Sequence, residues 1–218
     1  AASDVYKRQA LTKGVKMAYF PFYIDIEKKD ILVVGGGAVA LRKVEKLLPF
    51  NPVITVVSPE ICNEIVKLGV KTVKRVFADS DLDGMFCVIS ATNNSQVNEH
   101  IYRLCSAKNI PVNTVDDKER CTFIFPALVK ENGITAGITT SGKSPVYAKY
   151  VKEQLIHLLE NINADTVEVL WKYRAAIKAR INNEEERKEI FTRLLNMCVE
   201  GALVDDKAVE EIIKEYTL

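Results

Sequence analysis

Ile31-Leu32-Val33-Val34-Gly35-Gly36-Gly37-Ala38-Val39-Ala40 is a short apolar run stopped by three glycines and then resumed. A continuous run of this kind, rich in β-branched residues, reads as a strand buried on both faces, as in a parallel sheet. From Ala38 to Leu48 the apolar residues Val39, Val44, Leu47 and Leu48 fall on one side of a helix, which Pro49 and Pro52 end. Between strand and helix stands Gly35-x-Gly37-x-x-Ala40. The first glycine allows a tight turn, the second lets backbone approach a pyrophosphate, and the small third residue lets the helix pack closely on the sheet. The helix N-terminus then offers unpaired N–H groups and a partial positive charge to the phosphates. In this context Gly35, Gly37, Ala38, Val39 and Ala40 are expected to bind a dinucleotide. A glycine turn serving structure alone is the competing reading.

Strands and helices continue to alternate downstream. Val53–Val57, Val70–Val76, Met85–Ile89 and Pro111–Val115 read as strands, and Pro59–Leu68 and Gln96–Lys108 as helices. That order predicts an α/β fold with a doubly wound, Rossmann-like parallel sheet over residues 18–115. Beyond Thr122 the pattern changes. Thr122–Lys130 and Ile134–Thr140 read as a hairpin around Glu131-Asn132-Gly133. Ser144-Pro145 then opens a helix, with serine as cap and proline in its first turn. Residues 116–162 are thus expected to form a strand–helix dimerisation region, and residues 163–218 a helical C-terminal domain. In that tail Val167, Val169, Leu170 and Tyr173 suggest one apolar face, and Ile190, Leu194, Leu195 and Cys198 another. Residues 1–16 precede Met17, carry no apolar signal segment and are expected to be a non-native leader.

The chain's 218 residues, 48% hydrophobic and 27% charged, suffice for a sizeable core. A net charge of +1 argues against an electrostatically driven nucleic-acid binder. No apolar run approaches the roughly 20 residues that span a bilayer, and a cytoplasmic protein is expected. Five cysteines, an odd number with no C-x-x-C pair, read as reduced thiols and not as a disulfide framework or zinc site. The two histidines, His100 and His157, have no second ligand at helical spacing, so no metal site is expected. The acidic run Glu184–Glu189 reads as a solvated helix start.

Ligands of doubly wound sheets lie beyond the carboxyl ends of the strands. After Val57 come Ser58, Pro59 and Glu60, placed to meet the adenosine ribose, although Ser58 serves equally as a helix cap. No arginine follows to take a 2′-phosphate, which favours NAD over NADP. Ala91 and Thr92 follow the fourth strand and are small enough to let the nicotinamide half pass. Asp116 follows the next strand and is placed to accept a proton there. Taken alone, Asp116-Asp117 more often marks a solvated turn. A rival motif is Gly137–Ser144, which satisfies the G-x-x-x-x-G-K-[ST] pattern of a P-loop nucleotide-binding protein. Against it, Gly137 lies inside a strand, Pro145 removes an N–H just after the motif, and no Asp-terminated partner strand follows.

Taken together, these segments resemble the siroheme-synthase-type precorrin-2 dehydrogenases. The resemblance rests on Phe20–Tyr23, Val33–Lys43, Thr55–Glu60, Ala91–Asn93, Val112–Asp117, Phe123–Ala127 and Ser141–Ala148, and covers roughly residues 18–160. It implies NAD-dependent oxidation of precorrin-2 to sirohydrochlorin in siroheme biosynthesis, by a homodimer, with Fe²⁺ insertion added in some members. It also implies that Asp116 is the catalytic acid and that Ser141–Ser144 opens a dimerisation helix. Precorrin-2 is a polycarboxylate, so Asn113, Lys118, Arg120 and Lys143 become candidate substrate contacts; each of the three cations is equally an ordinary surface charge. A tetrapyrrole- or NAD-binding module without turnover is the remaining alternative.

Overall fold

The strand that opens the argument is Asp30–Val34 (β1), buried at every position but its first. In the computed structural model, which describes residues 19–160 and 165–217, it lies at the centre of a five-stranded parallel sheet. Its neighbours are Val53–Val57 (β2) and Cys87–Ser90 (β4), with Lys71–Val73 (β3) and Val112–Thr114 (β5) at the edges, giving the order 3-2-1-4-5. Ile31 faces Ile54 and Cys87, and the ladder runs in register to Val34, Val57 and Ser90. The carboxyl ends of β1, β2 and β4 therefore finish level. The predicted leader, residues 1–16, lies outside the described residues.

Each face of this sheet carries its own core. The helix Ala38–Leu47 (α1) turns Ala40 and Val44, both fully buried, onto Ile31, Val33, Ile54 and Val56. Val39, expected on that side, instead lines a cavity at the helix start. On the other face Leu32, Val34, Val57 and Val88 pack with Leu82 and with Ile101 and Cys105 of the helix Ser95–Ala107 (α3).

Two expected elements are shorter than their sequence pattern. Only Asn63–Lys67 (α2) is helical in the stretch Pro59–Leu68. Residues 58–61 run non-helically past the glycine turn, and the Cys62 N–H donates to the Gly36 carbonyl at 2.9 Å. Likewise Thr122–Phe125 is not a strand. The Thr122 N–H donates to the Val112 carbonyl at 2.8 Å, and the Thr122 hydroxyl accepts from the Val112 N–H at 2.8 Å. A side chain stands where a ladder would need backbone.

The described residues form two compact units, of which Phe22–Phe125 is one and the other is built on the residues from Pro126. In the second, Ala127–Glu131 (β6) and Ile134–Ile138 (β7) pair antiparallel. Their turn carries Asn132 at φ 49° and Gly133 at φ 74°, the left-handed conformations that Asn-Gly favours. Asn132 donates to the Leu159 carbonyl at 2.9 Å, tying the hairpin to the helix Pro145–Glu160 (α4). The Ser144 hydroxyl accepts from the Tyr147 N–H at 3.3 Å, the cap that Ser-Pro announced. Helices Thr166–Arg180 (α5), Glu184–Val199 (α6) and Asp206–Lys214 (α7) bury Tyr173, Ile177, Ile190, Leu194, Ile212 and Ile213 together. Leu195 is 40% exposed, because Ile190, Leu194 and Cys198 form the buried stripe of α6 and Leu195 falls one position off it. Among the described residues no helix is long and apolar enough to cross a membrane.

Candidate functional site: a dinucleotide cavity at the strand ends

The Gly35 N–H donates to the Val57 carbonyl and the Ala91 N–H to the Val34 carbonyl, at 2.9 and 2.8 Å, so three strand ends are stitched together at the turn. Gly35 has φ 121°, and a Cβ there would collide with the Ala91 carbonyl. A Cβ on Gly36 would strike the Glu60 carbonyl. Around Gly37 the situation reverses: a Cβ would meet no atom within 4 Å, because the position opens onto space. Gly37 caps α1, whose first turn holds no acidic residue and no capping side chain. The first N–H groups of that helix are left to a ligand, in the manner of phosphate-binding turns.

That space is a cavity of about 890 Å³. Of the expected cofactor residues, Gly35, Gly37, Ala38, Val39, Ser58, Pro59, Glu60, Ala91 and Thr92 all line it. Ala40 does not; it is fully buried, and its small size lets α1 approach the sheet. Val34, Gly36, Val57, Ile61, Cys62, Val76, Phe77, Asn93, Asn94 and Val97 also line it. Among the described residues Glu60 is the one charged residue of the lining, which holds no lysine or arginine. The turn after β4 is held by Asn98, which sequence reading passed over. Its Oδ1 accepts from the Ser90 hydroxyl at 2.8 Å and the Thr92 hydroxyl at 2.6 Å, while its Nδ2 donates to the Thr92 carbonyl at 3.0 Å.

The strand β5 brings Asp116 to the same end of the sheet. The Val115 N–H donates to the Ser90 carbonyl at 2.9 Å, which fixes the next residue beside the β4 turn. Asp116 sits at φ 61°, left-handed backbone that Asp and Asn tolerate better than other side chains, and it is exposed. Asp117 does different work: its Oδ1 accepts from the Glu119 and Arg120 N–H groups at 3.1 and 3.2 Å and closes the turn. Cys121 clasps that turn from within, its one S–H shared between the Thr114 and Asp117 carbonyls at 3.1 and 3.0 Å. Burial pushes the Cys121 thiol above its ordinary pKa, so it remains a donor.

The candidate substrate residues divide. Asn113 is buried, and its Nδ2 donates to the Phe123 carbonyl at 2.9 Å while its Oδ1 accepts from Lys43 at 3.3 Å. Arg120 pairs with Asp117 at 3.3 Å and Glu99 at 3.6 Å. Lys118 is exposed in the same turn. Lys143 belongs to the second unit.

There, the P-loop look-alike is not built as a phosphate site. Gly137 lies within an antiparallel hairpin, not at the end of a parallel strand. The Ser141 and Ser144 N–H groups donate to the hydroxyls of Thr139 and Thr140 at 3.1 and 3.0 Å, and the Lys143 N–H to the Thr140 carbonyl at 3.0 Å. The donors a phosphate needs are spent within the loop.

The sheet order, the glycine turn at its switch point and the open helix N-terminus define a dinucleotide-binding protein of the Rossmann class. Residues 22–127 match the family described as "Putative NAD(P)-binding". The siroheme synthase of Pseudoalteromonas translucida is 35% identical over 187 residues, 84% of this chain and 40% of that one. That of Thioalkalivibrio sulfidiphilus is 36% identical over 183 residues, 82% of this chain and 37% of that one. The chain belongs to the siroheme synthase family. It spans about two fifths of the length of these curated relatives. A solved precorrin-2 dehydrogenase, SirC, shares the fold with a TM-score of 0.67 at 23% identity, over 91% of this chain and 98% of that one.

Proposed function

We propose that this chain is an NAD-dependent precorrin-2 dehydrogenase, forming sirohydrochlorin for siroheme biosynthesis. The observation that carries the reading is the placement of Asp116 at the end of β5, hydrogen-bonded through Val115 to the β4 end that lines the dinucleotide cavity. The residues present fit the cofactor: Gly35 and Gly36 admit no side chain, Gly37 opens onto space, and the first turn of α1 faces it with unpaired N–H groups. Ser58 and Glu60 would meet the ribose, and the lack of a lysine or arginine among the described residues of the lining favours NAD over its 2′-phosphorylated form. Bound there, NAD supplies a two-electron hydride acceptor. Asp116 accepts the proton that the substrate gives up as its ring is oxidised. The turn clasped by Asp117 and Cys121 fixes the backbone that carries Asp116.

Anaerobic incubation with precorrin-2 and NAD, followed at the absorbance of sirohydrochlorin, tests the activity. Asp116→Asn keeps the left-handed backbone and removes the base. Turnover is expected to fall roughly 10²–10⁴-fold with NADH affinity unchanged. Wild-type turnover in that variant would remove Asp116 from the mechanism. NAD binding without any turnover by the wild type would favour a non-catalytic module.

The same reading makes the protein a cytoplasmic homodimer. Support comes from α4, where Val146, Tyr147, Tyr150 and Leu158 are exposed and the two tyrosine rings stack at 6.3 Å. The five cysteines are all free thiols, as a reducing compartment requires. Sedimentation of the wild type as a monomer at micromolar concentration would refute the dimer.

A further inference from the structure

Lys43 has no part in the dinucleotide cavity, yet burial perturbs it strongly. It lies on the second turn of α1 and reaches towards β5. Its Nζ donates to Asn113 Oδ1 at 3.3 Å and stands 3.9 Å from the centre of the Phe125 ring. The amide oxygen and the ring face both favour an ammonium there, whereas burial opposes it. Burial prevails, assisted by Lys46 and Arg42 on the same helix, and brings the Lys43 pKa down to about 8. Asp116 and Cys121, facing it from the segment after β5, pull the other way.

Arg42 on the same helix adds positive charge here, and Asp116 faces Lys43 from the segment after β5. An ammonium also has three N–H donors. Among the described residues Asn113 takes one and the ring covers another. A half-buried cation with a spare donor, on the side of β5 that leads to the candidate catalytic acid, is suited to an incoming anion.

We propose that Lys43 is a substrate-binding residue whose ammonium, braced by the Asn113 amide and the Phe125 ring, pairs with a carboxylate of the tetrapyrrole. This rests on the dehydrogenase reading above and names one polar contact of its substrate. The pairing works only with the protonated lysine. Affinity is therefore flat below about pH 8 and weakens as the pH rises past it, by about tenfold per unit for one linked proton.

Sirohydrochlorin binding, measured anaerobically by fluorescence quenching from about pH 6.5 to 9.5, tests this in three proteins. The wild type is expected to show the break near pH 8. Lys43→Arg, which stays charged throughout, is expected to bind with no break in this range. Lys43→Met is expected to bind roughly tenfold or more weakly at neutral pH and likewise without a break. NADH affinity should be the same in all three, since Lys43 does not line the cavity. A merely structural lysine would change the melting temperature and leave the pH profile alone. Should Lys43→Met fold poorly, the arginine profile decides. A break retained in Lys43→Arg, or wild-type affinity in Lys43→Met, overturns the proposal and leaves the dehydrogenase reading standing. A wild type that binds NADH but no sirohydrochlorin at any pH overturns both.

Discussion

Two glycine-rich loops in this chain each open a helix, and only one is built to hold phosphates. Gly35–Gly37 leads into α1 and Gly137–Ser144 into α4, and as strings of letters the second matches its motif more fully. They differ in where their N–H groups go. In the first, neighbouring strands press on the turn from below while the helix start opens onto a cavity. In the second, threonine side chains and the loop's own carbonyl consume the donors before any ligand arrives. A phosphate loop is thus a statement about unspent donors at the end of a parallel strand, and glycine spacing alone does not make it.

Substitutions at equivalent places can break this contrast. The largest effect is expected from Gly36→Ala, whose methyl would strike the Glu60 carbonyl. Displacing that backbone should lower the unfolding midpoint by several degrees and weaken NADH binding about 100-fold or more, as read by thermal melt and fluorescence titration. Gly37→Ala should sharpen the contrast. Its methyl meets no protein atom within 4 Å, so the melt should hold while NADH affinity falls roughly tenfold, through intrusion on the ligand alone. Equal loss of stability in both variants would mean that the space at Gly37 is not where the cofactor lies. The smallest effect is expected in the second loop. Gly142 has φ 74°, so Gly142→Ala should cost about 1 kcal/mol in a denaturant melt and leave NADH binding unchanged. Mg·ATP binding to the wild type that this variant abolishes would show that the second loop is a phosphate site after all.

The strands β1, β2 and β4 were legible because a strand buried on both faces is mostly apolar, and few other short elements are. The first loop was legible for the related reason that its glycines answer to local geometry. What the sequence concealed was set by distant partners. The stretch Pro59–Leu68 has helical spacing, but its first half crosses the glycine turn, where Cys62 bonds to Gly36. Val39 fits the apolar side of α1 by period, yet the cavity takes it. Asn98 looks like any polar residue of a helix, and only the hydroxyls of Ser90 and Thr92 reveal its purpose. Lys43 could be quoted as part of a motif, but its burial depends on Asn113 and Phe125, far along the chain.

The backbone that crosses Gly36 also bears on how such a protein can change over generations. Residues 58–61 are positioned by main-chain contacts, through the Cys62 N–H and the Glu60 carbonyl. The side chains of Ser58 and Glu60 make no hydrogen bond or ion pair among the described residues. On the proposed binding mode, a lineage can therefore exchange them, and with them its preference for a plain or a phosphorylated ribose, while inheriting the grip on the pyrophosphate intact. Cofactor choice and cofactor retention are separate traits here, open to selection one at a time.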